Sequence, residues 1–205
     1  MIGILELDQY TPIRLGILLQ KQGQEVLLSK KLEQLDECNI VLLFGASGFE
    51  TCMARLTELG AKEYFLNRLQ EENFKLIGIN SGMLCLGKQH YSTGTEGLGL
   101  LDSVVRDIGE NGWNVNDEHY GWHLIKQVQE NDFFSYPPKR EFYFFNHTEY
   151  LQGSIESNDS LAVCKYGGNF AIAVQNENIS GLLFYPERSS QYGVNLFKSF
   201  IKSCM

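Results

Sequence analysis

At 205 residues, 43% hydrophobic and 20% charged, the chain has the size and mix of one globular domain, spanning 1-205, with a single core. A net charge of -8 argues against nucleic acid or an anionic membrane surface as partner. No apolar run nears the ~20 residues of a membrane helix, and Met1–Asp8 carries no basic leader-like segment; the five cysteines, Cys38, Cys52, Cys85, Cys164 and Cys204, are odd in number and form no C-x-x-C pair, so neither structural zinc nor disulfides are expected and a reducing cytoplasm is.

The first half of the chain alternates. Ile2–Leu7 reads as a strand, Ile13–Gln22 as a helix stopped by Gly23, and Gln24–Leu28 as a second strand. Asn39–Phe44 is a continuous apolar run ending in glycine, the pattern of a strand buried on both faces. Phe49–Leu59 and Lys62–Glu72 read as helices broken at Gly60, and Lys75–Ile79 as the next buried strand. Strands alternating with helices predict an α/β fold, a three-layer sandwich with a mainly parallel central sheet. Later come short strand candidates, Tyr120–Val128, Glu141–Asn146, Leu161–Lys165, Phe170–Gln175 and Ile179–Phe184, expected as antiparallel additions to that sheet. Pro137-Pro138 reads as a loop that need not divide domains. A closing helix is expected over Ser190–Ile201, with Val194, Phe197, Phe200 and Ile201 on one face.

The most informative stretch is Gly78-Ile79-Asn80-Ser81-Gly82-Met83-Leu84, where a buried strand ends in G-x-N-x-G before a helix. Small residues permit the sharp strand-to-helix turn of a nucleophile elbow, which exposes its central side chain over amides able to hold an oxyanion. Taken alone, the stretch reads first as a glycine-bracketed turn after a core strand. Further segments are Gly97-Leu98-Gly99-Leu100-Leu101, His119-Tyr120-Gly121-Trp122, Phe142–His147, Tyr166–Gln175 and Leu183-Phe184-Tyr185-Pro186-Glu187-Arg188-Ser189.

In this order and spacing the segments resemble the class I glutamine amidotransferases, specifically the glutaminase subunit of imidazole glycerol phosphate synthase, over nearly the whole chain. The resemblance implies a glutaminase docked on a (β/α)₈-barrel synthase that uses its ammonia, with no cofactor and no metal. In that family the elbow reads Gly-Ile-Cys-Leu-Gly-Met-Gln and the later motif Gln-Phe-His-Pro-Glu-Lys-Ser.

The departures fall on the chemistry. Asn80 stands at the nucleophile position and Tyr185 at the histidine position; of the triad only Glu187 remains. Among positions implied to hold substrate, Gly45, Gly48, Gly82 and Met83 persist. The glutamine that follows the elbow is Leu84, a second is Leu183, and the oxyanion loop reads Phe44-Gly45-Ala46-Ser47-Gly48. Ser81 is expected to point away from the elbow, Cys52 and Cys85 to pack in the core, and His90, His119, His123 and His147 to be structural or exposed. The expected reading is therefore an impaired glutaminase homologue that docks on or regulates a barrel-type synthase. Its candidate edge is Asn80, His119, Gly121, Trp122 and Tyr185 beside the 44–48 loop, with Trp122 as anchor. Two alternatives stay open: a different ligand or reaction at the elbow, and glutamine hydrolysis by an unexpected route.

Overall fold

The uninterrupted apolar runs become central strands. In the computed structural model, which describes residues 1–10, 12–129, 141–153 and 159–204, β1 (Ile2–Glu6), β3 (Ile40–Gly45) and β4 (Lys75–Asn80) are buried at every position except Lys75. A strand without exposed alternation must be covered on both faces, so these three lie in the middle layer of a sandwich. Around them are β2 (Val26–Ser29), β7 (His119–Gln127), β8 (Phe142–His147), β10 (Ser160–Tyr166), β11 (Gly168–Asn176) and β12 (Ile179–Leu182). The nine form one sheet in the order β2-β1-β3-β4-β12-β11-β10-β7-β8. The first five are parallel; from β11 onward every pairing is antiparallel.

The expected helices form with ends shifted by a few residues: α1 (Ile13–Gln20), α2 (Phe49–Glu58), α3 (Ala61–Arg68), the single turn α4 (Ser81–Leu84) and α5 (Ser190–Ser203). Gly60, at φ 66°, separates α2 from α3. Leu196, Phe197, Phe200 and Ile201 bury one face of α5, while Val194 is half-buried at its margin. Pro137-Pro138 lies outside the described residues.

A second sheet was not expected. β5 (Gln89–His90), β6 (Val104–Asp107) and β9 (Glu149–Gln152) form a three-stranded sheet in that order. Its strands are two to four residues long and carry charged side chains, so alternation had no length over which to show. Among the described residues no helix is long and apolar enough to cross a membrane.

Candidate functional site

The carboxyl ends of β4 and β12 lie side by side, with Ile79 opposite Leu182, so the two motifs of interest meet at one rim of the sheet. The elbow forms there. Asn80 takes φ 52° and ψ -122°, a conformation of the kind that costs about 1–3 kcal/mol and persists only where surroundings impose it. The bracketing glycines are sterically required. A Cβ on Gly82 would stand 1.9 Å from the Leu43 carbonyl oxygen, and one on Gly78 would stand 2.5 Å from the Gly82 oxygen.

The side chain at the elbow is not presented to solvent, contrary to the expectation from its shape. Asn80 is 1% exposed. Its Nδ2 donates to the Leu183 carbonyl at 3.1 Å and, more weakly, to that of Asn146 at 3.5 Å. Its Oδ1 accepts from the Ser81 amide at 2.8 Å, capping α4, and from the Ser81 hydroxyl at 3.3 Å. Ser81 Oγ in turn accepts from the Gly48 amide at 3.0 Å, which ties the elbow to the 44–48 loop.

That loop is occupied in the same way. The Ala46 amide donates to Asp8 Oδ2 at 2.5 Å, and the Phe49 amide donates to Glu149 Oε2 at 2.9 Å. Four amides around the elbow, those of Ala46, Gly48, Phe49 and Ser81, thus end on this chain's own side chains. Gly45 closes the β3 ladder opposite Asn80, and Gly48, at φ 85°, opens α2. Met83 and Leu84 are core residues, so neither lines an open site.

Tyr185 is largely buried beside Phe44 and Phe144, each with ring centroid 6.3 Å away. Burial pushes its phenol well above the usual tyrosine value. With Glu187, Arg188, Arg14, Tyr10 and Asn146 it lines an open cleft of about 810 Å³ between the start of α1 and the 3₁₀ turn Pro186–Arg188. Among the described residues Glu187 Oε2 is buried without a hydrogen bond, and burial raises its carboxyl, opposed by its own backbone amide and then by Arg188 and Arg14.

The expected docking edge needs correction at three positions. Asn80 is enclosed, as described, Tyr185 is 4% exposed at the wall of the cleft, and His119 is 0% exposed. β7 alternates, so His119 and Tyr120 face opposite sides, and the side of His119 is the core. His119 Nδ1 meets His147 Nε2 at 2.9 Å, and His147 Nδ1 meets the Glu149 carbonyl at 2.8 Å. Because the carbonyl can only accept, His147 donates from Nδ1 and its Nε2 accepts from His119. Burial, with His147 and His123 adding to it, pushes His119 down to about 2. Burial also takes His147 down to about 4, partly opposed by its bond to the Glu149 carbonyl. On the opposite side of β7, Trp122 is 49% and Tyr120 62% exposed, with Leu124 and Phe142 also open. Both aromatic rings of β7 meet Phe144, which leads to Tyr185 and the cleft. Gly121, at φ 105°, is half-buried between Tyr120 and Trp122.

No family model matches the chain. Solved structures match it closely in shape. A glutamine amidotransferase gives a TM-score of 0.72 at 16% identity over 98% of both chains. A second, from Thermotoga maritima, gives 0.60 at 18% identity over 98% of this chain and 81% of that one. The fold is that of the class I glutamine amidotransferases.

Relatives by sequence are more specific. Imidazole glycerol phosphate synthase subunit HisH of Leptospira interrogans is 26% identical over 202 residues, 98% of either chain. The HisH of Bacillus licheniformis is 29% identical over 204 residues, 98% of this chain and 95% of its own. The chain's homologues are thus HisH glutamine amidotransferase subunits.

Proposed function

We propose that this chain is a HisH-type subunit that does not hydrolyse glutamine and that docks on a barrel-type, ammonia-using synthase. The observation that carries the reading is the internal capture of the elbow: the Asn80 carboxamide and four surrounding amides all end on groups of this chain. Amide hydrolysis needs a nucleophile, a base and free donors for the oxyanion. Asn80 is no nucleophile. The Tyr185 phenol, raised by burial, is no base at neutral pH. Loss of a nucleophile alone costs about 10⁶ in rate in a comparable triad.

Neighbouring residues do not replace what is missing. The Ser81 hydroxyl is held between Gly48 and Asn80. Cys85 is fully buried, and burial followed by the adjacent Cys52 keeps its thiol protonated. The docking face in this reading is Tyr120, Trp122, Leu124 and Phe142, with Gly121 in the strand between the first two, and it borders the cleft that Tyr185 lines. Exposed aromatics beside a cleft are the composition of an interface core.

The test is ammonia release from glutamine, measured with and without a barrel-type synthase from the same organism, alongside calorimetry of the two proteins. The reading expects no turnover in either case and a 1:1 complex. Turnover that disappears on changing Ser81 or Cys85 to Ala refutes the inactive elbow. Absence of binding at micromolar concentration refutes the docking role.

A further inference from the structure

The small sheet brings together three side chains that the elbow chemistry does not use. His90 on β5, Asp107 on β6 and Glu149 on β9 offer one donor atom each, all within 4.8 Å of one another. His90 Nε2 stands 3.5 Å from Asp107 Oδ2 and 3.8 Å from Glu149 Oε1. Such gaps are long for hydrogen bonds. They suit atoms arranged around one ion, since ligands each ~2.0–2.2 Å from a metal stand roughly 3–4 Å apart.

His90 is 3% exposed, and its Nε2 is turned into this gap without a hydrogen bond among the described residues. It is also the only basic partner that Asp107 or Glu149 has among those residues, so two carboxylates share one imidazole. Glu50 and Glu110 stand close by, engaged by Thr93 and Ser92 of the turn that follows His90. Glu149 is already oriented, because its other oxygen accepts the Phe49 amide. Asp107 is part-exposed and leaves a way in from solvent.

We propose that His90, Asp107 and Glu149 bind one first-row divalent metal ion, with water completing the coordination. One imidazole and two carboxylates form a donor set for Zn²⁺ or Mn²⁺. His90 Nδ1 accepts from the Ser92 and Thr93 amides at 3.3 and 3.4 Å. A metal on Nε2 takes the tautomer with its proton on Nδ1, so binding gives up these two long contacts and turns the ring from the two amide hydrogens. The ion joins all three strands of the small sheet and, through Glu149, holds them to the first turn of α2 beside the 44–48 loop.

The test uses the full chain stripped with a chelator. Zn²⁺ binding is read by calorimetry and Mn²⁺ binding by electron paramagnetic resonance. One equivalent is expected. His90→Ala and Asp107→Asn should each weaken binding by at least roughly tenfold, since even outer-shell changes do as much. Zn²⁺ should raise the Tm of the wild type and not of the variants. The metal-free Tm of Asp107→Asn should match the wild type, showing that the fold is intact. No binding of either ion at millimolar concentration, or unchanged affinity in either variant, overturns the site.

Discussion

Lowering the pH from 7 to 5 should destabilise the protein through two buried histidines. His119 and His147 are neutral in the folded state, pushed to about 2 and about 4, against an ordinary value of 6.5. The sign follows from proton counts. Between 6.5 and the folded values, the unfolded chain binds protons that the folded chain does not, so stability falls as pH falls. At pH 5 the unfolded preference is about 2 kcal/mol per histidine, hence about 4 kcal/mol for the pair. That is a large share of the ~5–15 kcal/mol that holds a typical domain together. Burial raises the carboxyls of Asp107, Glu149 and Glu187, which act in the opposite sense, gaining stability as pH falls toward the usual carboxylate range. A variant comparison removes that contribution. Urea unfolding of the wild type and of His147→Gln, each at pH 7 and pH 5, should show the pH-dependent loss shrinking by about 2 kcal/mol in the variant, whatever the substitution costs at pH 7. An equal loss in both proteins, or a His147 ring resonance titrating near 6.5, would refute the argument.

Gly82→Ala should destabilise the fold by about 3 kcal/mol or more, because its Cβ meets the Leu43 backbone and not a movable side chain; thermal unfolding reads this directly. Trp122→Ala should leave stability within about 0.5 kcal/mol, the ring being half-exposed, while calorimetry with the partner synthase shows most of the affinity gone. Asn80→Cys alone should give no glutamine turnover, and Asn80→Cys with Tyr185→His weak turnover at most; family-level rates from the single change would show that the base has been misplaced. Asn80→Ala should cost about 1–3 kcal/mol by baring the buried Ser81 amide and Leu183 carbonyl, as chemical denaturation can measure.

The sandwich was legible because its central strands are apolar at successive positions and its breaks fall at glycines. Ile40–Gly45 and Lys75–Asn80 are such runs, and Gly60 divides α2 from α3. The elbow was legible for the same reason, as glycine spacing reports a steric demand. What the sequence did not reveal is where polar side chains turn. The capture of the Phe49 amide by Glu149 spans a hundred positions, and that of the Ala46 amide by Asp8 spans thirty-eight. His119 looked available because it shares a short segment with the exposed Tyr120 and Trp122; strand alternation places it on the other side. His90, Asp107 and Glu149 come from three short strands of a sheet too small to leave a periodic trace.

The occupied amides around Asn80 also bear on redesign. A thiol can be placed at position 80 with one substitution. Asp8, Ser81 and Glu149, however, hold hydrogen bonds on the amides of Ala46, Gly48 and Phe49. Freeing those amides would leave two carboxylates and a hydroxyl without their donors, at a cost in stability before any rate was gained. A glutaminase designed on this scaffold would therefore need several substitutions at once.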